Sequence, residues 1–193
     1  MARTPSSMVQ LGTPMPSFTL PDGAGIAHAS DALQGPAGTL VIFMCNHCPF
    51  VVHVAAELGR LGAEWTERGM GVVGINSNDA ATYPEDDPSH MPAFAETYGL
   101  TFPYLFDASQ DVARAFDATC TPDFFLYGPS GTLVYRGQLD ASRPGDGSPV
   151  TGNDLRKALE AVSEGRPPAG QQSPSIGCNI KWKSCGPCCG DAS

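Results

Sequence analysis

The stretch Thr39-Leu40-Val41-Ile42-Phe43-Met44-Cys45-Asn46-His47-Cys48-Pro49 decides the fold of this chain. Residues 39–44 form a continuous apolar run, rich in β-branched and aromatic side chains, which predicts a buried central strand. A CxxC motif follows at once, and apolar residues then recur at helical spacing from Val51 to Leu58. The sequence therefore predicts a strand that leads through two cysteines directly into a helix.

The alternation of strands and helices continues along the chain. Such alternation implies parallel pairing with right-handed crossovers, and a hairpin signal adds an antiparallel edge. We expect an α/β fold with a mixed central sheet and helices on both faces. Besides the strand and helix above, the patterns predict a short strand at 18–20, a buried strand at 71–76, a helix around 91–98 ending at Gly99, an edge strand at 102–106, a helix at 112–116, a hairpin of 123–127 with 132–136, and a last helix at 155–162.

The chain divides into a domain and a tail. Residues 1–165 hold the predicted elements, including an N-terminal extension rich in Pro, Gly and Ser. Residues 166–193 are rich in the same residues and contain four cysteines, which predicts an irregular tail that packs on the domain or extends from it.

Composition excludes several classes of function. With 41% hydrophobic and 16% charged residues, the 193-residue chain has a globular composition. Its net charge of -9 repels phosphate backbones and argues against a nucleic-acid partner. No run approaches the ~20 apolar residues that a membrane helix needs, so we expect no membrane partner. The N-terminus shows no signal-peptide pattern, and we therefore expect a cytoplasmic protein.

The CxxC motif has a clear chemical use at a strand-to-helix junction. Free N–H groups at a helix N-terminus stabilise a thiolate, the species that attacks disulfides or peroxides. This predicts Cys45 as the nucleophile and Cys48 as the resolving thiol. Asn46 and His47 lie between them as supporting residues, and a protonated His47 would lower the pKa of Cys45 further. Thiols carry the electrons themselves, so we expect no cofactor and no catalytic metal, but an external thiol reductant and a protein disulfide or peroxide substrate.

The remaining cysteines leave alternatives open. The CxxC pair could be inert, or it could be half of a zinc site completed by tail cysteines or histidines. The tail tetrapeptide Cys185-Gly186-Pro187-Cys188 has no strand before it and no helix after it, so we do not expect it to be the main site. It could be incidental, could relay electrons to Cys45 and Cys48, or could bind a metal together with Cys178 and Cys189. Cys120 and Cys178 are further candidate redox partners, although Cys178 could equally be a small buried residue.

The dipeptide Thr121-Pro122 is the second informative site. It lies just before a predicted strand and about 70 residues after the CxxC motif. This placement favours a cis-proline whose backbone lies beside the cysteines and pairs with an extended substrate. The competing interpretation is an ordinary trans proline at the start of an edge strand.

Several segments together resemble the thioredoxin superfamily, and within it the redoxin branch that includes peroxiredoxin-like and ResA/TlpA-type proteins. They are residues 12–22, 43–51, 121–126, 136–144 and 175–183, and they look most like thioredoxin-like proteins of the AhpC/TSA family with a CNHC active site. The resemblance implies a thioredoxin fold and an antioxidant or disulfide-exchange role. Peroxiredoxins have the pattern Pro-x-x-x-Thr-x-x-Cys at this site. This chain has Val41 in place of the proline and Cys45 in place of the threonine. Cys48 would then match the peroxidatic cysteine, and Arg136 and Arg143 are candidates for the arginine that peroxidatic sites use.

Three hypotheses follow for the function. The first is a thiol-disulfide oxidoreductase that uses the Cys45/Cys48 couple. The second is a peroxiredoxin-like thiol peroxidase in which Cys48 is oxidised and Cys45 resolves it. The third is a metal-binding or redox-sensing module without turnover.

Overall fold

The computed structural model describes residues 3–184, which contain ten strands and four α-helices in that part of the chain. The predicted helix that begins at Met91 ends at Tyr98, and Gly99 follows as its C-cap with a φ of 65°, which glycine readily adopts at a helix C-terminus. The strands are β1 (Arg3–Pro5), β2 (Thr19–Pro21), β3 (Ala27–Ala29), β4 (Gly38–Phe43), β5 (Met70–Asn76), β6 (Tyr104–Phe106), β7 (Cys120–Thr121), β8 (Asp123–Tyr127), β9 (Leu133–Gly137) and β10 (Ile176–Asn179). The α-helices are α1 (Pro49–Glu67), α2 (Met91–Tyr98), α3 (Asp111–Ala115) and α4 (Asn153–Ser163).

A mixed sheet of five strands forms the centre of the molecule, in the spatial order β6-β5-β4-β8-β9. β5 pairs in parallel with β4 and β6, whereas β8 pairs antiparallel with β4 and β9. β4 therefore lies in the middle of the sheet, as its continuous apolar sequence predicts. The predicted mixed sheet, its edge strand and its hairpin are confirmed, although the edge strand begins at Tyr104 rather than at 102.

The side chains of β4 alternate between the two faces of this sheet, because successive residues of a strand point to opposite sides. Leu40 and Ile42 pack in a core cluster with α1, α2 and α4. Val41 and Phe43 pack in a second cluster with Ala113 of α3 and with the N-terminal segment. Helices thus lie on both faces, which confirms that prediction. None of the helices described between residues 3 and 184 is long and apolar enough to cross a membrane.

A second, smaller sheet joins the two ends of the described chain in the order β1-β10-β7. Both pairings are antiparallel, and they place Cys178 opposite Arg3 on one side and opposite Thr121 on the other. The prediction of an irregular tail is therefore wrong for residues 176–179. This strand has only four residues and includes a glycine, so its local strand preference is weak and its pairing depends on the tertiary contacts that surround it.

Candidate functional site

The two cysteines of the CxxC motif lie at the junction between β4 and α1. β4 ends at Phe43, and α1 begins at Pro49 with Cys48 as its N-cap. Pro49 occupies the first helical turn, where a missing N–H breaks no helical hydrogen bond. Both sulfurs are shielded from solvent, since Cys45 is 1% exposed and Cys48 is 0% exposed. The motif is thus a buried dithiol whose second cysteine occupies the N-cap position of α1.

Thr121 contacts both sulfurs of this dithiol. Its hydroxyl oxygen lies 3.5 Å from Sγ of Cys45, and its carbonyl oxygen lies 3.2 Å from Sγ of Cys48, where it accepts a hydrogen bond when that sulfur carries its proton. The peptide bond between Thr121 and Pro122 is cis, as the sequence predicts. The structure therefore assembles Cys45, Cys48, Thr121 and Pro122 into one site, although 73 residues separate Cys48 from Thr121 in the chain.

A buried carboxylate, Asp86, holds the loop between the two cysteines. Its Oδ1 accepts hydrogen bonds from the backbone N–H of Asn46 at 2.8 Å and of His47 at 3.3 Å. Its Oδ2 accepts from Nδ2 of Asn78 at 2.7 Å and lies 2.6 Å from Nδ1 of His47. Asp86 is 0% exposed, so these four nitrogens take the place of water around the carboxylate. The loop conformation thus depends on one acidic side chain.

Asn46 is fixed on both of its polar atoms. Its Nδ2 donates to the carbonyl oxygen of Glu85 at 3.0 Å, and its Oδ1 accepts from the hydroxyl of Tyr104 at 3.0 Å. Burial raises the pKa of Tyr104, which keeps this hydroxyl a donor. The predicted supporting role of Asn46 therefore has a physical form, because the side chain ties the CxxC loop to β6 and to the segment before Asp86.

The tail contributes to the site through Lys181. Its backbone N–H donates to Oδ1 of Asn78 at 2.8 Å, and Asn78 donates in turn to Asp86. Its ammonium lies 5.7 Å from the ring of Tyr83, and that ring stacks on His47 at 5.7 Å with an interplanar angle of 2°. The residues after β10 therefore brace the same carboxylate and imidazole that hold the CxxC loop.

Cys45, His47 and Asp86 also form the one group of potential metal ligands found within residues 3–184. Their ligand atoms all lie within 4.8 Å of one another. Both oxygens of Asp86 already have two nitrogen neighbours each, and Nδ1 of His47 faces Asp86. Hydrogen bonding among protein groups therefore accounts for this cluster.

The surroundings of the two sulfurs move their pKa values in opposite directions. The pKa of Cys48 lies well below its usual range because the thiols of Cys178 and Cys45 and the hydroxyl of Thr121 stabilise its thiolate. The pKa of Cys45 is raised, first by burial, then by its hydrogen bond to Cys48 and by the charge of Asp86. The prediction that Cys45 has the lowered pKa is wrong, because burial and the charge of Asp86 favour its protonated form.

Two further cysteines lie on the small sheet. Cys178 is 2% exposed, and its pKa is raised mainly by its side-chain hydrogen bond to Cys48 and by burial. Cys120 donates instead to the carbonyl oxygen of Pro122 at 3.6 Å, and burial raises its pKa. Of these two predicted redox partners, the structure therefore brings Cys178 to the CxxC sulfurs through its side chain. Cys185, Cys188 and Cys189 lie outside the described residues.

The two candidate arginines engage other groups. Arg143 donates to Oε1 of Gln138 and to the carbonyl oxygens of Asp140 and Ser142. Arg136 donates to Oε1 of Gln172 at 2.8 Å. Both guanidinium groups therefore serve the loops around β9 in the described structure.

Sequence reasoning missed Asp86, Asn78 and Lys181. Asp86 lies in Tyr83-Pro84-Glu85-Asp86-Asp87-Pro88, a turn-forming stretch with three acidic residues and no periodicity. The excess of prolines and acidic residues indicates a structured loop, but no spacing selects one carboxylate over its neighbours. Asn78 and Lys181 carry no local signal because they meet only through the fold.

Taken together, the buried CxxC at a strand-to-helix junction and the adjacent cis-proline define a thiol redox protein of the thioredoxin fold. The chain belongs to the AhpC/TSA family, whose model matches residues 11–136. It is similar to the thiol-disulfide oxidoreductase ResA of Halalkalibacterium halodurans, with 26% identity over 66% of this chain and 68% of that protein. It is also similar to a Mycobacterium tuberculosis protein provisionally named a peroxiredoxin, with 27% identity over 60% and 68% of the two chains.

Solved structures agree with this assignment of the fold. An uncharacterized conserved protein from Geobacillus kaustophilus is 49% identical and superposes with a TM-score of 0.93 over 96% of this chain and 99% of that one. A thioredoxin-family thiol:disulfide interchange protein from Chlorobium tepidum is 20% identical, with a TM-score of 0.60 over 80% and 99%. The first resemblance extends over nearly the whole chain, whereas the second shows the fold alone.

Proposed function

We propose that this protein is a thiol-disulfide oxidoreductase whose redox couple is the dithiol and disulfide of Cys45 and Cys48. The observation that carries the proposal is that Thr121 contacts both sulfurs while their pKa values are moved apart. Exchange needs one thiolate to attack the substrate and a second thiol that keeps its proton until the resolving step. The resemblance to ResA proteins supports the same chemistry. We infer that the substrates are protein disulfides and that an external thiol reductant closes the cycle.

The directions of the two pKa values favour Cys48 as the attacking thiolate, although the position of Cys45 in the motif favours Cys45. The Cys48 thiolate attacks a substrate disulfide, forms a mixed disulfide, and releases one substrate thiolate. Cys45 then gives up its proton and attacks Sγ of Cys48 as a thiolate, the Cys45–Cys48 bond forms, and the bond from Cys48 to the substrate breaks. The second substrate sulfur takes up the proton and leaves as a thiol. The substrate gains two electrons and the protein loses two.

A single-turnover reaction tests this function. The fully reduced protein is mixed with oxidised glutathione, and the released glutathione and the protein thiols are counted. We expect at least two glutathione molecules per protein and a disulfide within the tryptic peptide of residues 4–60, which contains Cys45 and Cys48 and no other cysteine. A protein that releases no glutathione would contradict the proposal. Cys120→Ser serves as a matched control and should react like the unchanged protein.

The attacking cysteine is identified by two single variants in the same reaction. If Cys48 attacks, Cys48→Ser gives no mixed disulfide, because the remaining Cys45 is held protonated. If Cys45 attacks, Cys48→Ser instead accumulates glutathione on Cys45, which mass analysis of peptide 4–60 detects. Cys45→Ser should still react through Cys48, and a variant that stays fully reduced would exclude Cys48 as the attacking residue.

A second candidate function, thiol peroxidase, is favoured by the lowered pKa of Cys48. Peroxide would oxidise the Cys48 thiolate to a sulfenic acid and release water, and Cys45 would then condense with it to a disulfide and a second water. The relative provisionally named a peroxiredoxin supports this candidate. The hydrogen bonds of Arg136 and Arg143 weaken it, because both guanidinium groups are engaged elsewhere.

Stopped-flow oxidation by hydrogen peroxide separates the two functions. A rate near that of an ordinary thiolate leaves disulfide exchange as the function. A rate several orders of magnitude higher, lost in Cys48→Ser, establishes the peroxidase. Cys120→Ser again supplies the control, since its thiol contacts Pro122 rather than Cys48.

A further inference from the structure

β10 occupies the position beside Thr121 where the sequence predicts an extended substrate. It pairs antiparallel with β7, in a register that places Cys178 opposite Thr121 and Asn179 opposite Cys120. The approach is close, because a Cβ added at Gly177 would lie 2.0 Å from the carbonyl oxygen of Thr121. A strand added to an exposed edge is a common mode of peptide recognition. Here a segment of the same chain takes that position.

This pairing directs Cys178 toward the active-site sulfurs. Thr121, its partner across the strands, accepts the hydrogen bond of Cys48 on its carbonyl oxygen. β10 also contacts α1, the helix that Cys48 caps. The side chains of Cys178 and Cys48 interact closely enough that each shifts the pKa of the other, and both are buried. Three thiols therefore meet at Cys48, two from the motif and one from the tail.

We propose that Cys178 is a third redox cysteine of this site, which forms a disulfide with Cys48. The proposal rests on the proposed function, in which Cys48 forms a mixed disulfide with a substrate thiol. The Cys178 thiol attacks Sγ of Cys48, the Cys48–Cys178 bond forms, and the bond from Cys48 to the substrate breaks. The substrate leaves as a thiol with the proton of Cys178, and the two electrons come from the protein. Cys45 can later exchange with this disulfide, which regenerates the Cys178 thiol.

The placement of Cys178 fits this role better than that of Cys120. The Cys48 sulfur and burial raise the pKa of Cys178, whereas the positive charge of Lys181 acts in the opposite direction and favours the thiolate that Cys178 must become in order to attack. Cys120 faces the negative charge of Asp123, and its thiol donates to Pro122. The two cysteines lie on paired strands and are similarly buried, so Cys120 is a matched control for position and burial.

The test uses the full-length Cys45→Ser variant, which removes the competing thiol of the motif. The reduced variant is treated with oxidised glutathione, alkylated and digested with trypsin. The cysteines then fall on four separate peptides, namely residues 4–60 with Cys48, 115–136 with Cys120, 158–181 with Cys178, and 184–193 with the tail cysteines. We expect the cross-linked pair 4–60 with 158–181 and the release of two glutathione molecules. Cys45→Ser combined with Cys120→Ser should give the same result.

Each other outcome has a defined meaning. Cys45→Ser combined with Cys178→Ser should retain glutathione on Cys48, and Cys178→Ala repeats the test with a second side chain. Glutathione that stays on Cys48 in Cys45→Ser itself, with Cys178 alkylated, overturns the inference and leaves the proposed function intact. A cross-link of peptide 4–60 to 184–193 or to 115–136 also overturns it, in favour of another resolving cysteine. If Cys48 remains a thiol in all of these variants, the result overturns the inference and also the proposal that Cys48 is the attacking cysteine.

Discussion

Replacing Asp123 at the start of β8 by asparagine should change the pH dependence of stability. Asp123 lies beside Pro122 and opposite Phe43 at the end of β4. It is 0% exposed, and its Oδ1 has no hydrogen-bond partner among the described residues. Burial raises the pKa of Asp123 to about 7. Asparagine has nearly the same shape but cannot ionise, so the variant isolates the contribution of this charge.

The sign and size follow from linkage between protonation and folding. The unfolded chain releases the proton of Asp123 near its ordinary pKa of about 3.9, whereas the folded chain keeps it until about pH 7. Between these values the folded state binds more protons, so its stability falls as pH rises. A difference of about three pH units corresponds to about 4 kcal/mol, which is an upper value for the change. The charge therefore destabilises the protein most above pH 7.

Urea unfolding of the reduced protein between about pH 5 and pH 8 measures this effect. We expect Asp123→Asn to gain stability relative to the unchanged protein as pH rises, and the gain to level off above pH 7. Asp146→Asn is the control, because Asp146 is exposed and the Ser148 N–H lowers its pKa below this window. A difference between Asp123→Asn and the unchanged protein that stays constant from pH 5 to 8 would refute the reasoning.

Three further predictions concern the site itself. Asp86→Asn should lower the free energy of unfolding by about 1.5–3 kcal/mol, because a buried acceptor of several hydrogen bonds is lost. It should also slow the release of glutathione. Urea unfolding curves measure the first effect and single-turnover rates the second, with Asp87→Asn as control. Gly177→Ala should cost roughly 1–3 kcal/mol and speed alkylation of Cys178, because its Cβ would meet Thr121, whereas Gly170→Ala has open space and should change neither. In Cys45→Ser, the rate at which iodoacetamide alkylates Cys48 should stay nearly constant from about pH 6 to 9, because the lowered pKa of Cys48 keeps it a thiolate. The rate for an ordinary thiol rises about tenfold per pH unit below its pKa.

The sequence predicts the parts of the site that depend on local patterns. The apolar run before Cys45 and the helical spacing after Cys48 place the motif at a strand-to-helix junction, and both elements are present. Thr121-Pro122 is predicted from its distance to the motif and from the strand that follows. These features succeed because each is encoded within a few residues, where propensity and periodicity agree.

The parts that the sequence does not predict depend on contacts between distant segments. Asp86 reaches Asn46 across 40 residues of sequence, and Lys181 reaches Asn78 across 103. The order of the Cys45 and Cys48 pKa values follows from the burial of each sulfur and from the groups beside it. The CxxC spacing would be the same if that order were reversed. β10 lacks a strand signal of its own, because a four-residue segment with Gly177 gains its pairing only beside Thr121.

The burial of the dithiol and the position of Cys178 are linked by a single segment. A substrate disulfide must reach Sγ of Cys48, which is 0% exposed, so the groups that cover it have to separate. β10 is one of these groups, and it meets β7 through two residue pairs and β1 through three. Opening of β10 would uncover the site and withdraw Cys178 from Cys48 in the same movement. Its return would bring the Cys178 thiol back to Cys48 after the substrate has bound there, which is the order of events that resolution of a mixed disulfide requires.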